Sequence, residues 1–326
     1  MKKVMNDPQN IVQEMLLGME ASAPGFLKKL NGFDVIVNKD LKEERVTLIS
    51  GGGSGHEPAH GGYVGKGMLD AAVAGPVFTS PGPDQILEGI KAIDKSKGVL
   101  IIIKNYSGDV MNFQMAVEMA EMEGINTDFV IVNDDVAVGE SSQRRGIAGT
   151  VFVHKIAGAR AITGASLKEV KETAQKAINN VRSKGIALDP CILPHNGQPS
   201  FQISSDKMEI GLGIHGEPGI KQTEVLTARE IAEDLVISLK EDLGLETGEK
   251  IAVMVNGLGA TPLMELQVLF NEVAMLCQNS GIKIIKTYIG NYMTSLNMAG
   301  LSLTFLRTDQ DLADLLNAPV CTLSFR

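Results

Sequence analysis

Three short stretches concentrate the side chains able to do acid–base or nucleophilic chemistry: Gly51-Gly52-Gly53-Ser54-Gly55-His56-Glu57-Pro58-Ala59-His60, Lys104-Asn105-Tyr106-Ser107-Gly108-Asp109, and Gly211-Leu212-Gly213-Ile214-His215-Gly216-Glu217-Pro218-Gly219. His56-Glu57-x-x-His60 has the spacing of a zinc protease, whose chemistry needs both imidazoles one turn apart on a helix with the glutamate as base. Glycines crowd the residues before it, Pro58 removes an amide at its centre, and position 63 of the longer pattern holds Tyr63. No third ligand is evident, so no metal is expected, and a zinc hydrolase is an outsider that predicts stoichiometric zinc. Gly211-x-Gly213-x-x-Gly216 matches the dinucleotide fingerprint, which works only where a helix starts at the last glycine. Glu217-Pro218-Gly219 predicts a turn there instead. The nearest approach to a phosphate-binding G-x-x-x-x-G-K-[ST] loop is Gly65-Lys66, followed by Gly67 and preceded by His60 at the first glycine position. Nothing here grips a nucleoside triphosphate by that device.

What remains for the three stretches is work on a small ligand. Successive glycines after a strand ending near Ser50 let backbone amides approach a ligand, with His56 at the mouth of a cleft. The competing reading is a tight turn with His56 capping the next helix. Asp109 precedes an apolar helical run, so it either caps that helix or acts as a base. Lys104, at a strand end, is a ligand or a solvated side chain. His215 lies between glycines, which would leave its ring open to a cleft. His154 falls in the helical stretch 150–157 as a packing or surface residue, and His195 is incidental.

The elements that must position these loops follow from periodicity. Asp7-Pro8 predicts a helix start, with helical spacing through Ile11, Leu16 and Met19 up to Pro24. Val46 to Ile49, Val77 to Thr79, Val99 to Ile103 and Phe129 to Val132 read as strands, and Asp84 to Ile93 and Val110 to Met122 as helices. A charged helix over 167–181 leads into Ser183 to Ser200, rich in Pro, Gly and Asn, which reads as a linker. Beyond it come strands near Met208 to Leu212, Ile251 to Val255 and Ile282 to Tyr288, helices over 228–243 and 262–279, and apolar runs at Leu301 to Leu306 and Val320 to Phe325. The fold class is α/β: two α/β domains, 1–183 and 184–326, each a mostly parallel or mixed sheet flanked by helices.

Composition excludes several classes. The formal charge of −9 argues against binding to nucleic-acid backbones or anionic lipid. No apolar run is long enough to span a bilayer, and the N-terminus lacks a signal-peptide core. Cys191, Cys277 and Cys321 are sparse and in no metal spacing, which predicts buried free thiols in a reducing, cytoplasmic setting.

With these stretches in hand, the chain resembles the substrate-binding subunit of dihydroxyacetone kinases. The resemblance rests on Ser50 to Pro58, Ile103 to Asp109, Gly213 to Gly219 and Asn256-Gly257-Leu258-Gly259-Ala260-Thr261-Pro262, in family order across the whole chain. It implies that His215 bonds through a ring nitrogen to the C2 carbonyl of dihydroxyacetone as a hemiaminal. It implies that His56 and Asp109 assist proton transfer at the hydroxyl to be phosphorylated. Lys104 and the backbone near Gly53, Ser54 and Gly55 would hold the substrate. No cofactor is implied on this chain. ADP or ATP with magnesium is expected on a partner kinase subunit, because the chain stops at Arg326 with no helical nucleotide domain. That partner would be recharged by a phosphotransferase-system phosphocarrier from phosphoenolpyruvate or by exchange with ATP, and a homodimer is the family's expected assembly. Two rivals stand beside this reading: a non-catalytic dihydroxyacetone-binding co-activator of a transcriptional regulator, and a kinase subunit for glyceraldehyde or another small ketose.

Overall fold

The computed structural model describes residues 2–41, 43–217 and 219–325; Pro218, in the middle of the expected 217–219 turn, lies outside them. In chain order the elements are α1 (Ile11–Ser22), β1 (Leu27–Lys29), β2 (Val35–Asn38), β3 (Thr47–Ser54), β4 (Gly65–Lys66), β5 (Ala71–Val77), α2 (Pro83–Ile93), β6 (Val99–Lys104), α3 (Ser107–Met122), β7 (Thr127–Val132), α4 (Thr150–Ile162), α5 (Leu167–Asn180), β8 (Val181–Asp189), β9 (Lys207–Ile210), β10 (Lys221–Glu224), α6 (Ala228–Leu243), β11 (Lys250–Gly257), α7 (Leu263–Asn279), β12 (Lys283–Gly290), β13 (Ala299–Arg307), α8 (Gln310–Asn317) and β14 (Cys321–Thr322). Among the described residues no helix is long and apolar enough to cross a membrane.

The chain forms two compact units: Met1–Val132 with Phe152–Ala177 and Asp314–Arg326, and Asn133–Val151 with Ile178–Ala313. The single boundary expected at 183/184 falls inside β8. The stretch read as a linker begins there, in a strand at the middle of a sheet. Two of its polar residues find partners there: Ser183 Oγ lies 2.7 Å from Thr304 Oγ1 on β13, and Lys184 Nζ donates to Asp234 Oδ2 of α6 at 2.7 Å. Composition alone reads such residues as solvated, whereas pairing makes them strand residues.

The first unit holds a mixed sheet in the order β1-β2-β5-β3-β6-β7, in which β5, β3, β6 and β7 run parallel. Val99, Ile101 and Ile103 of β6 alternate onto one face and pack with Ile86 and Ile90 of α2 and Phe113 and Ala116 of α3. Because β3, β5 and β6 are parallel, their carboxyl ends open at one edge, where ligand clefts of α/β sheets lie. The strand expected to stop near Ser50 continues through Gly51, Gly52 and Gly53 to Ser54, paired with β5. Asp7 opens a turn before α1 and does not cap it: its carboxylate accepts from Gln9 N at 2.9 Å, and the helix starts at Ile11.

The second unit holds a mixed, mostly antiparallel sheet in the order β10-β9-β8-β13-β11-β12, with only β11 and β12 parallel. Leu235 and Leu239 of α6 and Leu266, Leu269 and Val273 of α7 cover Val253, Val255, Leu303 and Phe305 on one face. Thr227 and Glu230 form a capping box, and Gly244 closes α6 in the left-handed conformation. Cys191 and Cys277 are buried free thiols, burial pushing Cys277 up to about 11, whereas Cys321 is exposed rather than buried.

The Asn256 to Pro262 stretch is a fastening. Asn256 Oδ1 accepts from the backbone amides of Tyr292 and Met293 at 2.8 and 2.9 Å, and its amide donates to Met293 O and Ser302 Oγ. Gly259 has φ +121°, and a Cβ there would sit 1.9 Å from Leu296 O. A Gly259→Ala change should therefore cost about 2–4 kcal/mol in urea denaturation, combining backbone strain with a clash against main chain. Gly25→Ala, which meets nothing within 4 Å, is the control and should stay near wild type.

Candidate functional site

In the first unit the glycines of β3 are explained by what touches them. A Cβ on Gly52, whose φ is +149°, would lie 3.0 Å from Lys104 Nζ and 3.2 Å from Asp109 Oδ2. One on Gly53 would lie 2.6 Å from Thr79 N, in the loop after β5. The bare strand thus lets an ammonium, a carboxylate and a neighbouring loop converge where a side chain would stand. Ser54 spends its hydroxyl proton on Gly75 O at 2.7 Å, and Gly55 N–H donates to both oxygens of Glu57 at 3.1 Å.

Asp109 does not cap α3. Tyr106 occupies the cap and Asp109 the first turn, at 3% exposure. The Ser80 hydroxyl donates to its Oδ1 at 2.5 Å, while Oδ2 stands 3.9 Å from Lys104 Nζ. Gly108 keeps the path clear, since a Cβ there would sit 2.8 Å from Ser80 Oγ. Lys104 is fully buried rather than solvated, with its ammonium 5.2 Å from the centroid of the Tyr106 ring. A buried ammonium needs such compensation, because desolvation of an isolated charge costs several kcal/mol. Ser80 was not legible as a site residue: it sits in a Thr79-Ser80-Pro81 loop with no motif to mark it.

His56 is buried and stacked on Phe78, ring centroids 5.2 Å apart at 21°, rather than exposed at a cleft mouth. Residues 57–60 form turns, not the helix that the zinc-protease pattern requires. Among the described residues no group of three or more His, Cys, Asp or Glu could hold a metal ion. His60 and His154 pack edge to face at 5.2 Å, and His154 is fully buried in α4. Ser50 donates to Ile102 O at 2.7 Å, so the 3.5 Å contact between Ser50 Oγ and His60 Nδ1 has the ring as donor. Burial, then the charge on Lys104, pushes His154 down to about 3 and His60 well below the ordinary range. Burial likewise raises Glu57. Both rings are therefore neutral at pH 7.

In the second unit His215 is half-buried. Its Nδ1 lies 3.0 Å from Glu217 Oε1, and its backbone N–H donates to Glu217 Oε2 at 2.9 Å. Burial works to raise Glu217, but its hydrogen bonds and the charge of His215 prevail and hold it down to about 2. Gly213 is needed for this approach: a Cβ there would fall 2.2 Å from Glu217 Oε2 and 2.7 Å from Arg145 Nη1. The flanking glycine thus admits a carboxylate rather than exposing the ring. Arg145 donates to Asp135 Oδ2 and to Gly211 O, each at 2.7 Å. Burial raises Asp135 to about 6 against the pull of Arg145. Asp134, by contrast, accepts from Ile147 N and Gly149 N and so shapes the turn before α4. Glu217 was missed as a site residue, although its spacing two residues after His215 was visible.

The Dak1 domain model matches residues 17–324. Over its whole length, and the whole length of that protein, the chain is 49% identical to the PTS-dependent dihydroxyacetone kinase 1, dihydroxyacetone-binding subunit DhaK, of Listeria innocua serovar 6a. Among solved structures it resembles a dihydroxyacetone kinase operon co-activator, Dha-DhaQ, at 38% identity and a TM-score of 0.91, covering 95% of this chain and 97% of that one. It also resembles the dihydroxyacetone kinase of C. freundii at 36% identity and a TM-score of 0.92, covering 99% of this chain and 60% of that one.

The buried histidines make stability depend on pH. The folded value of His154 lies below the ordinary 6.5, so the unfolded chain binds the extra proton. That contribution is complete above pH 6.5 and is lost as pH falls toward 3, at roughly 1.4 kcal/mol per pH unit. Among the described residues neither ring nitrogen of His154 has a hydrogen-bond partner. His154→Phe should therefore unfold no more easily than wild type at pH 7 and show a shallower fall between pH 6.5 and 4.5 in urea midpoints. Equal slopes for the two proteins would refute the assignment.

Proposed function

The chain belongs to the Dak1 family, and we propose that it is the dihydroxyacetone-binding subunit of a dihydroxyacetone kinase. The observation that carries this reading is the match along the full length of both chains to such a subunit. His215 tethers the ketone at C2 as a hemiaminal. Asp109 accepts the proton of the hydroxyl to be phosphorylated, His56 orients or shares it, and Lys104 with the Gly53, Ser54 and Gly55 backbone holds the substrate. The phosphoryl group comes from a separate subunit that carries ADP or ATP with magnesium, itself served by a phosphotransferase-system phosphocarrier. A cytoplasmic homodimer is the form we propose for this subunit.

The chemistry suits the residues. Dihydroxyacetone has few atoms, and even the best small ligands gain only about 1.5 kcal/mol per heavy atom from ordinary contacts. A reversible covalent bond adds affinity and selects a carbonyl, which glycerol lacks. With Oδ1 engaged by Ser80, Asp109 keeps a defined direction for its second oxygen, a requirement for a general base worth about 10²–10⁴-fold. The Lys104 ammonium beside it offsets negative charge developing on the hydroxyl oxygen.

The likeness to the co-activator supports a second reading, in which the chain binds dihydroxyacetone without turnover. The presence of His56, Asp109 and His215 together favours the kinase subunit.

Calorimetry with dihydroxyacetone and glycerol tests the tether: wild type should bind the ketone only, and His215→Ala should lose it or bind far more weakly. Equal ketone binding by the variant would remove the tether from the mechanism. Turnover with the nucleotide-carrying subunit separates the two readings. Asp109→Asn should keep binding while its rate falls about 10²–10⁴-fold. A wild-type protein that binds ketone yet never turns over would be the co-activator.

A further inference from the structure

We infer that Glu217 is the positioning residue that sets the tautomer of His215, holding the proton on Nδ1 so that Nε2 carries the lone pair for attack on a carbonyl. This rests on the tethering reading above. The carboxylate is bidentate to one residue: Oε1 meets the ring at 3.0 Å and Oε2 the backbone N–H at 2.9 Å. An ionised carboxylate only accepts, so the ring nitrogen facing it must be the protonated one. Glu217 in turn is confined. Its Oε2 and the Arg145 Nη1 both crowd the empty Cβ position of Gly213, and Arg145 is anchored by Asp135 and by Gly211 O. A side chain at position 213 would take the space that the carboxylate fills.

The covalent step gives this carboxylate a second use. Nε2 donates its pair to C2, the C=O π pair moves to the oxygen, and that oxygen takes a proton from solvent. The ring is then an N-alkylated imidazolium that still carries its Nδ1 proton, paired with Glu217. The adduct thus takes up one proton from solvent overall, and the Nδ1 proton stays between the ring and Glu217. A carboxylate that orients an imidazole and offsets its developing charge is how the aspartate of hydrolase triads acts.

The test is NMR on the full chain with imidazole-¹⁵N histidine and 2-¹³C dihydroxyacetone, for wild type, Glu217→Gln and Glu217→Asp. At a pH where the His215 ring is neutral, unliganded wild type should show it protonated at Nδ1 and not at Nε2. The Gln variant should shift toward the Nε2–H tautomer and hold the adduct about 10–100-fold more weakly, the size of effect when a histidine loses its orienting carboxylate. The Asp variant should recover part of both signals. An Nε2–H tautomer in wild type, or a Gln variant unchanged in tautomer and adduct, overturns the inference, as does equal weakening in Gln and Asp with the wild-type tautomer kept. Should the Gln variant fail to fold, the wild-type tautomer decides alone. Absence of any ¹³C adduct in wild type sinks the tether instead, and the unliganded tautomer still decides the role of Glu217.

Discussion

The first unit is organised around a lysine ammonium that has left water. Lys104 is fully buried at the end of β6, and a charge so placed is tolerated only where protein groups replace the lost hydration. Asp109, 3.9 Å away, and the face of Tyr106 supply part of that replacement. Gly52 of β3 is bare because the ammonium and carboxylate stand where its side chain would be. The same cation helps keep His60 and His154 neutral, so burial and charge act together on the whole layer.

This constraint links topology to chemistry. Parallel β5, β3 and β6 deliver the Phe78 to Ser80 loop, the glycine-rich strand end and Lys104 to one edge. α3 begins there and carries Asp109 in its first turn, where a helix N-terminus favours a carboxylate. Ser80 then selects the orientation of that carboxylate. Each group restricts the next, which is what preorganisation requires: a reacting group held in one rotamer by neighbours that are themselves held.

The second unit solves a similar problem with opposite charge. There the group is a half-buried carboxylate, Glu217, and its partners are a histidine ring and an amide, with a guanidinium nearby. Again a glycine provides the space. The mostly antiparallel sheet beneath it is closed by Asn256 and Thr261, whose hydrogen bonds are entirely internal. Motif residues thus divide by partner: those saturated by backbone hold the fold, and those facing other ionisable groups form the candidate site.

The sequence by itself determined the α/β class, most of the helices and strands, and the family. Hydrophobic periodicity is local, and four ordered motifs along one chain are specific. Val99 to Ile103 and Ala228 to Leu243 were legible because burial imposes their pattern directly. Tertiary structure decided what periodicity does not encode. Ser183 and Lys184 read as linker until Thr304 and Asp234 paired with them across space. The residues alone left Asp109 between cap and base, Lys104 between ligand and solvated side chain, and His154 between packing and surface, because burial of a polar side chain depends on residues remote in sequence. Ser80 and Glu217 became visible only with distances, since hydrogen bonds act over about 3 Å and carry no signature in spacing.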